Sequence, residues 1–347
     1  MHAERRAKFR PKEMAIILSH YDLGAISEIH SFRRGNIQSP KSVIIAENGK
    51  FLLKRRAPSH SDPYCAAMAQ EIQHYLSDQA FPVARPRMAV KDRECMLRLF
   101  GAIYELFEFI DGDMYRKSVE ATRSAGESLR QLHDHLREFV PGYQIPSRSY
   151  HNSQHVHENI QKILPSISQH DSVSGHESEL DTISCQLHES YDHAAAAVAQ
   201  RVDRDEDPVI CHGDWHPGNM IFRSTQVAGV FDFDLVRYMP ALEDVANGCL
   251  QFSLIAQGRN PDDWPDQLDD RRAKAFLGGY RPSSPWSHGE LETIASLMVE
   301  SLIAETVTSI ALTGRFADVQ GYRFLKMVLR KIQWLKNNAL SAISPVQ

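Results

Sequence analysis

The sequence lacks the features that mark secreted, membrane-spanning and nucleic-acid-binding proteins. Its five cysteines are scattered and odd in number, with no CxxC pair, which argues against a disulfide framework or a zinc ribbon. A formal net charge of -5 gives no general electrostatic reason to bind nucleic acid or an anionic membrane. Glu300 and Glu305 interrupt the most apolar stretch, so no apolar run approaches the roughly 18 to 20 residues of a membrane span. These absences predict a cytoplasmic protein with reduced thiols.

The chain is otherwise of ordinary globular composition. Its 347 residues are 42% hydrophobic and 24% charged, enough to bury a large core and to form two domains or lobes. A basic N-terminal cluster is not followed by an apolar segment, so it is not read as a signal peptide. No internal repeat is evident. The oligomeric state is left open by the sequence, with a homodimer as one option.

The N-terminal part is predicted to be a small sheet with one main helix. Strand-like segments at 42–46 and 51–54 flank Asn48-Gly49, a strong hairpin signal. Asp62 is a good N-cap and Pro63 suits the first position of a helix that extends to about residue 77. Tyr64, Met68, Ile72 and Tyr75 recur at helical spacing and predict its inward face, which Glu71 shares. Further strand-like segments follow at 87–90, 95–99 and 103–110.

The remainder is predicted to be mainly helical. Periodic apolar positions indicate helices over 118–139, 177–202, 291–312 and 322–340. A polar, Ser- and His-rich segment at 142–175 is interpreted as an insertion or long loop with a helix inside it, and a β-rich interruption follows at 208–233. The pattern predicts an α+β protein with an N-terminal lobe over 1–110, a connection near 105–113 and a larger helical lobe over 111–347.

One loop gathers most of the candidate chemistry. The stretch VICHGDWHPGNMIF at 209–222 holds a thiol, two histidines and a carboxylate. An HxxxH pair binds zinc when a helix aligns both rings, but Gly213 and the turn at Pro217 make a helix improbable here, and no third ligand stands nearby. A Ser-His-Asp hydrolase is disfavoured because no serine lies in a nucleophile-elbow context.

The spacing of this loop favours phosphoryl transfer. A kinase needs a carboxylate at the attacking hydroxyl, an Asn about five residues on for Mg²⁺, and a second Asp beyond a short hairpin. Asp214 and Asn219 stand in that relation, and Asp232 follows two short strand-like segments. The same chemistry requires a Lys on an N-terminal strand, held by a Glu on the next helix. Lys54 and Glu71 fit, and we expect them to pair.

These residues resemble the aminoglycoside phosphotransferase and choline kinase-like superfamily, which are kinases of small molecules with a bilobal protein-kinase-like fold. The resemblance rests on HGDWHPGN at 212–219, VFDFD at 230–234 and EDVA at 243–246, together with Lys54 and Glu71, and covers about residues 24 to 250. It implies Mg²⁺ and ATP as cofactors, with GTP not excluded, and a small-molecule hydroxyl acceptor as the partner, with no nucleic acid and no membrane.

The resemblance also implies roles for individual residues. Asp214 would be the catalytic base, and Asn219 and Asp232 would hold the metal. The nucleotide would be bound by Lys54, Glu71, Asn36, Ser39, Glu108 and Ile110, the last two through the hinge backbone beside adenine. Asp244 would brace the catalytic loop.

Several residues also have ordinary structural interpretations. We expect His212, His216 and Cys211 to be structural, and Asp234 to be a helix cap or a third metal contact. The acidic run at 262–270 is interpreted as a solvated face, with attraction of an amine-bearing acceptor as the alternative. The histidines at 151, 155 and 157 leave an adventitious metal site as an option without further support.

Three functions are compatible with these features. The first is a kinase acting on an aminoglycoside, homoserine, choline or ethanolamine, or a sugar-like alcohol. The second is a protein Ser/Thr kinase of the same fold. The third is a catalytically idle nucleotide-binding scaffold, against which the joint presence of the five motif residues counts.

Overall fold

A computed structural model describes residues 7–33, 35, 38–58, 61–170, 176–201, 207–258 and 260–344. The chain forms two compact units, each built from separate segments. Unit 1 comprises Met1–Met114, His135–Ile145 and Asn219–Val236, and unit 2 comprises Tyr115–Asp134, Pro146–Gly218 and Arg237–Gln347. The single boundary near residue 110 stays a prediction, since the contacts group the segment after Asn219 with the N-terminal one.

Unit 1 is built on an antiparallel sheet of five strands in the order β1-β2-β3-β5-β4. The strands are β1 Ile26–Phe32, β2 Lys41–Ala46, β3 Gly49–Arg55, β4 Met96–Leu99 and β5 Ala102–Glu108, and the helices are α1 Pro11–Leu18 and α2 Pro63–Asp78. The predicted hairpin is confirmed: Ala46 pairs with Gly49, whose φ of 137° strongly favours glycine. The apolar core joins α1 to β2, β3 and β5.

The helix α2 begins where the sequence indicates. The Asp62 side chain accepts the Tyr64 backbone N–H at 2.8 Å, and Pro63 occupies the first turn. Met68 and Ile72 are buried, as expected for the inward face. Tyr64, which the periodicity groups with that face, is 45% exposed. The predicted helix is therefore confirmed, with its apolar face narrower than the periodicity suggests.

The predicted strand at 87–90 is wrong. This segment is extended, but its backbone donates to three different partners: Arg87 to Leu106, Ala89 to Glu94 and Val90 to His20. A ladder requires successive bonds to one neighbouring strand, so the segment makes only an isolated bridge to β5, at Pro86 and Phe107, and forms no strand of the sheet.

A second hairpin belongs to unit 1. Its strands are β7 Met220–Arg223 and β8 Gln226–Val230, as the sequence predicts. Asp113 and Phe222 exchange both backbone hydrogen bonds at 2.8 Å, and the Val230 N–H donates to Pro82 at 2.8 Å. These bonds fix the hairpin to the segments at 82 and 113.

Unit 2 is mainly helical. Its helices are α3 Val119–Arg137, α4 Gln154–His170, α5 Glu177–Ala199, α6 Ala241–Ser253, α7 Asp270–Tyr280, α8 His288–Thr313 and α9 Gly321–Ile343. The last three residues of α3 belong to unit 1. Two short antiparallel pairs accompany them: β6 Val209–Cys211 with β9 Arg237–Met239, and β10 Arg315–Phe316 with β11 Val319–Gln320. The four helices predicted for this part of the chain are confirmed, and α4 is the helix expected inside the insertion, whereas α6 and α7 are additional to the prediction.

The helix α8 corrects one expectation from the sequence. Among the helices of the described residues it alone is long and apolar enough to cross a membrane, despite Glu300 and Glu305. However, 67% of its apolar window is buried inside the protein, as in the core helix of a globular domain. A capping box of Ser287 and Glu290 begins it, and Gly314 at φ 67° ends it.

Candidate functional site

The loop that follows β6 is fixed by hydrogen bonds from its backbone to a buried carboxylate. Asp244, on α6, accepts the backbone N–H groups of His212 at 2.8 Å and of Gly213 at 3.1 Å. His133 lies 3.2 Å from the same carboxylate. Burial alone would raise the pKa of Asp244, but the hydrogen bond and charge of His133 and the His212 N–H lower it on balance. The predicted bracing role of Asp244 is confirmed.

The rest of the loop is anchored while Asp214 stays accessible. The buried Trp215 indole donates to the Ala125 carbonyl at 3.2 Å, and Gly218 donates its N–H to His216 Nδ1 at 3.0 Å. The structural role of His216 is thus confirmed. The Asp214 side chain is 31% exposed, with its carboxylate 3.4 Å from His216 Nε2. A fixed, accessible carboxylate can accept a proton from a bound hydroxyl.

The charge of Asp214 affects the pKa of a second carboxyl group, that of Glu305. Glu305, on α8, accepts hydrogen bonds from Asn247 and Gln251. Burial raises the pKa of Glu305 to about 7, and the negative charge of Asp214 adds to the shift. In the sequence Glu305 stands out only as an interruption of an apolar stretch, and a charged residue in such a helix is expected to have a buried partner.

In unit 1 the hairpin of β7 and β8 places Asn219 and Asp232 at the same end of its two strands. Met220 pairs with Val230, and the Asn219 carbonyl accepts the Phe231 N–H at 2.9 Å, so Asn219 and Asp232 flank the last rung. Asp232 is exposed and lies in the left-handed region at φ 65°, ψ 61°, a costly conformation for a residue with a side chain. The amide and carboxylate oxygens of this pair are ligands of the kind that Mg²⁺ prefers.

A buried charge cluster lies in the same unit. It comprises Lys54, Arg56, Glu105 and Asp234. Arg56, whose side chain is 3% exposed, lies 3.0 Å from Glu105 and 2.8 Å from Asp234. Burial alone would lower the pKa of Arg56, but the two carboxylates raise it on balance.

Lys54 stands at the edge of this cluster. Its ammonium lies 3.9 Å from Glu105 and 3.8 Å from Asp234. The expected pair of Lys54 with Glu71 is wrong, because the Glu71 carboxylate accepts the Gly142 N–H at 2.9 and 3.2 Å instead. The partner on α2 is a different residue: Gln70 donates to Glu105 at 2.7 Å.

The charge cluster also shows which groups the Asp234 carboxylate contacts. The sequence leaves a helix cap or a third metal contact open, whereas the structure places its carboxylate against Arg56 and Lys54. Arg56 and Glu105 are absent from the site residues that the sequence predicts. The available signal is a Glu in the middle of an otherwise apolar strand, since a carboxylate is seldom fully buried unless it is paired.

The other residues predicted to bind nucleotide are placed as follows. Asn36 lies outside the described residues. The Ser39 hydroxyl is buried and donates to the Arg55 carbonyl at 2.7 Å, so it is used within the sheet. The Glu108 N–H donates to Arg85 at 2.9 Å, and its exposed carboxylate lies 3.3 Å from Arg87. Ile110, just beyond β5, is partly exposed.

The acidic run near residue 262 is largely paired. Asp262 contacts Arg323 at 2.6 Å, Asp266 contacts Arg330 at 2.8 Å and Asp269 contacts Arg272 at 2.9 Å. These arginines offset the negative charge, so the run gives no support to attraction of an amine.

Comparisons with known proteins identify the family and the fold. A family model described as the phosphotransferase enzyme family APH matches residues 28–289. A homoserine kinase of Phenylobacterium zucineum (strain HLK1) is 21% identical over 291 residues, covering 80% of this chain and 78% of the relative.

Solved structures of similar fold cover the whole chain. An amicoumacin kinase in complex with AMP-PNP and Ca²⁺ aligns with a TM-score of 0.67 at 13% identity, over 100% of this chain and 98% of the other. A microcompartment-associated aminopropanol kinase aligns with a TM-score of 0.69 at 11% identity, over 97% and 100%. The fold is that of the protein-kinase-like phosphotransferases, and because the family model spans most of its length, the chain belongs to the phosphotransferase enzyme family APH.

Proposed function

We propose that this protein transfers the γ-phosphoryl group of ATP to a hydroxyl group of a small molecule, in a reaction that requires Mg²⁺. The observation that carries the proposal is the braced loop, which exposes Asp214 five residues before Asn219. The hairpin then brings Asp232 to the end at which Asn219 lies. These are the residue types and spacings that phosphoryl transfer requires.

Each residue has a separate task in this proposal. Asp214 orients the acceptor hydroxyl and takes its proton. Asn219 and Asp232 hold Mg²⁺, which would offset negative charge on the phosphates when bound. Lys54 supplies positive charge for the phosphates, and the carboxylates of Glu105 and Asp234 hold it in place. Because Asp244 fixes the loop before the reaction begins, little reorganisation is needed to reach the transition state.

The acceptor that we favour carries an amine. Glu305 places negative charge near Asp214, and its ionised form would attract an ammonium group. The names of the relatives include kinases of homoserine and aminopropanol, both of which carry an amine and a hydroxyl group. ATP is favoured as the donor, with GTP as an alternative to be tested in the same assay.

The test is ADP formation by the purified protein with Mg²⁺ and ATP across a panel of amino alcohols, aminoglycosides and sugars. We expect activity with amine-bearing acceptors, and a loss of about a hundredfold or more in Asp214→Asn, as for removal of a general base. His155→Gln, a change at an exposed side chain, is the matched control. ADP formation that is equal in wild type and Asp214→Asn would overturn the assignment of the base.

A further inference from the structure

Two histidines and an aspartate meet on neighbouring helices of unit 2, among residues to which the proposed reaction gives no task. His157 lies on α4, and His188 and Asp192 lie one turn apart on α5. Each offers one ligand atom within 4.8 Å of the other two. We call these three residues the histidine cluster.

The contacts inside the cluster are as short as the separations between the ligand atoms of a metal ion, but they use both nitrogens of each ring. His157 Nδ1 lies 3.2 Å from His188 Nε2, and Asp192 lies 3.6 Å from His157 Nε2 and 3.0 Å from His188 Nδ1. In a tetrahedral zinc site with bonds of about 2.0 to 2.1 Å, the ligand atoms stand about 3.3 Å apart. One atom of each residue lies within 4.8 Å of the other two, so binding of a common ion requires the side chains to rotate until these three atoms face it.

The cluster is held in place before any ion binds. The His157 ring packs edge-on against Tyr191, with centroids 5.1 Å apart, and its side chain is 16% exposed. Tyr191 is itself fixed, because its hydroxyl accepts the Ser153 N–H at 2.8 Å and donates to the Tyr150 carbonyl. The His188 and Asp192 side chains are 42% and 52% exposed, which leaves the site open to an ion from solution.

We propose that the histidine cluster binds a divalent transition-metal ion of the zinc class, with water completing the coordination. Two imidazole nitrogens and one carboxylate oxygen are ligands typical of zinc, whereas Mg²⁺ and Ca²⁺ prefer oxygen ligands. The ion links α4 to α5 across 31 residues of sequence. It therefore stabilises this part of unit 2 independently of the ion that Asn219 and Asp232 hold.

The first experiment is calorimetric titration of the untagged, metal-free protein with ZnCl₂ in the presence of excess Mg²⁺. We expect one Zn²⁺ per chain at this site, with binding weakened about tenfold or more in His157→Gln and in His188→Gln. His155→Gln lies on the same helix and has a 68% exposed side chain, so it is the matched control and should bind as wild type does. Equal binding by wild type and both cluster variants would overturn the proposal.

Two further measurements distinguish the histidine cluster from a nearby thiol as the source of zinc binding. Cys185 is an exposed thiol on α5, and Cys185→Ser should retain zinc binding; its loss in that variant would assign the ion to the thiol. Zinc should also raise the melting temperature of wild type and of His155→Gln by several degrees, but not that of the cluster variants. If a Gln variant does not fold, Asp192→Asn, at an exposed side chain, provides the same comparison.

Discussion

The carboxylate of Asp244 and the backbone N–H of His212 are 2.8 Å apart, although 32 residues separate them in sequence. This bond ties the start of the loop that holds Asp214 to α6, and the same carboxylate also accepts the Gly213 N–H. The interaction is fully buried, so water cannot replace it if the carboxylate is lost. The position of Asp214 thus depends on a residue that would not touch substrate.

Asp244→Asn should lower the free energy of unfolding by about 1 to 3 kcal/mol, because one of two acceptor oxygens becomes a donor that faces backbone N–H groups. The lowered pKa of Asp244 has a consequence for pH. Its ionised form stabilises the fold fully above the ordinary pKa of aspartate. That contribution is lost as the pH falls from there through the lowered folded value.

Urea denaturation at a series of pH values measures both effects. The difference in the free energy of unfolding between wild type and Asp244→Asn should be constant near neutral pH and should become smaller at acid pH. A difference in the free energy of unfolding that does not change with pH would show that the ionised form of Asp244 stabilises the fold no more than its neutral form does. Trp215, which packs in the same loop, provides a fluorescence signal for local change.

Arg56 should be more important for stability than its neighbour Lys54. Arg56→Met leaves the carboxylates of Glu105 and Asp234 buried without their closest cation, a change that costs about 3 to 5 kcal/mol. Glu105→Gln alone should cost less. The double variant should be more stable than the sum of the two single changes predicts, by about 0.5 to 3 kcal/mol. Chemical denaturation of the four proteins measures this coupling, and additive changes would contradict it.

Lys54 and Glu71 should behave differently in ATP kinetics. Lys54→Met removes positive charge that we assign to the phosphates, and kcat/KM for ATP should fall about a hundredfold. Glu71→Gln keeps an oxygen that can accept the Gly142 N–H, so its kinetics should stay close to wild type. Steady-state kinetics with varied ATP make the comparison. Equal losses of kcat/KM in both variants would support the pairing of Lys54 with Glu71 that the sequence suggests.

The features that sequence predicts well here are local ones. The hairpin at Gly49, the helix after Asp62 and the end of α8 at Gly314 are set by side chains within a few residues, so each can be read from a short stretch. The Asp214 motif is also local, because its spacing is fixed by one loop and one hairpin.

The features that sequence misses depend on partners far along the chain. The kinase pattern assigns Lys54 to Glu71 on α2 because that helix supplies such a partner in kinases, but Glu105 on β5 stands directly opposite it in the sheet register. Arg56 adds a second cation to the same carboxylate. Helix periodicity places Glu71 on a face but cannot tell which charged group meets it, so only the strand register decides between the two carboxylates.

Glu305 should make acceptor binding depend on pH if the acceptor carries an ammonium group, as we propose. With a pKa of about 7, its carboxyl is largely ionised at pH 8 and largely neutral at pH 6. KM for the acceptor should therefore rise as the pH falls through 7. Glu305→Gln should raise KM about tenfold to a hundredfold at pH 8, since a hydrogen bond to a charged group is lost, and should abolish its pH dependence.

Two controls make this result specific to the amine. Glu292→Gln neutralises a carboxylate on the same helix that is paired with Arg201, and should leave the pH profile of KM unchanged. An acceptor in which a hydroxyl replaces the amine should bind wild type and Glu305→Gln equally well. A KM that rises with falling pH in Glu305→Gln as it does in wild type would assign the titrating group to another residue, because the variant cannot ionise at that position.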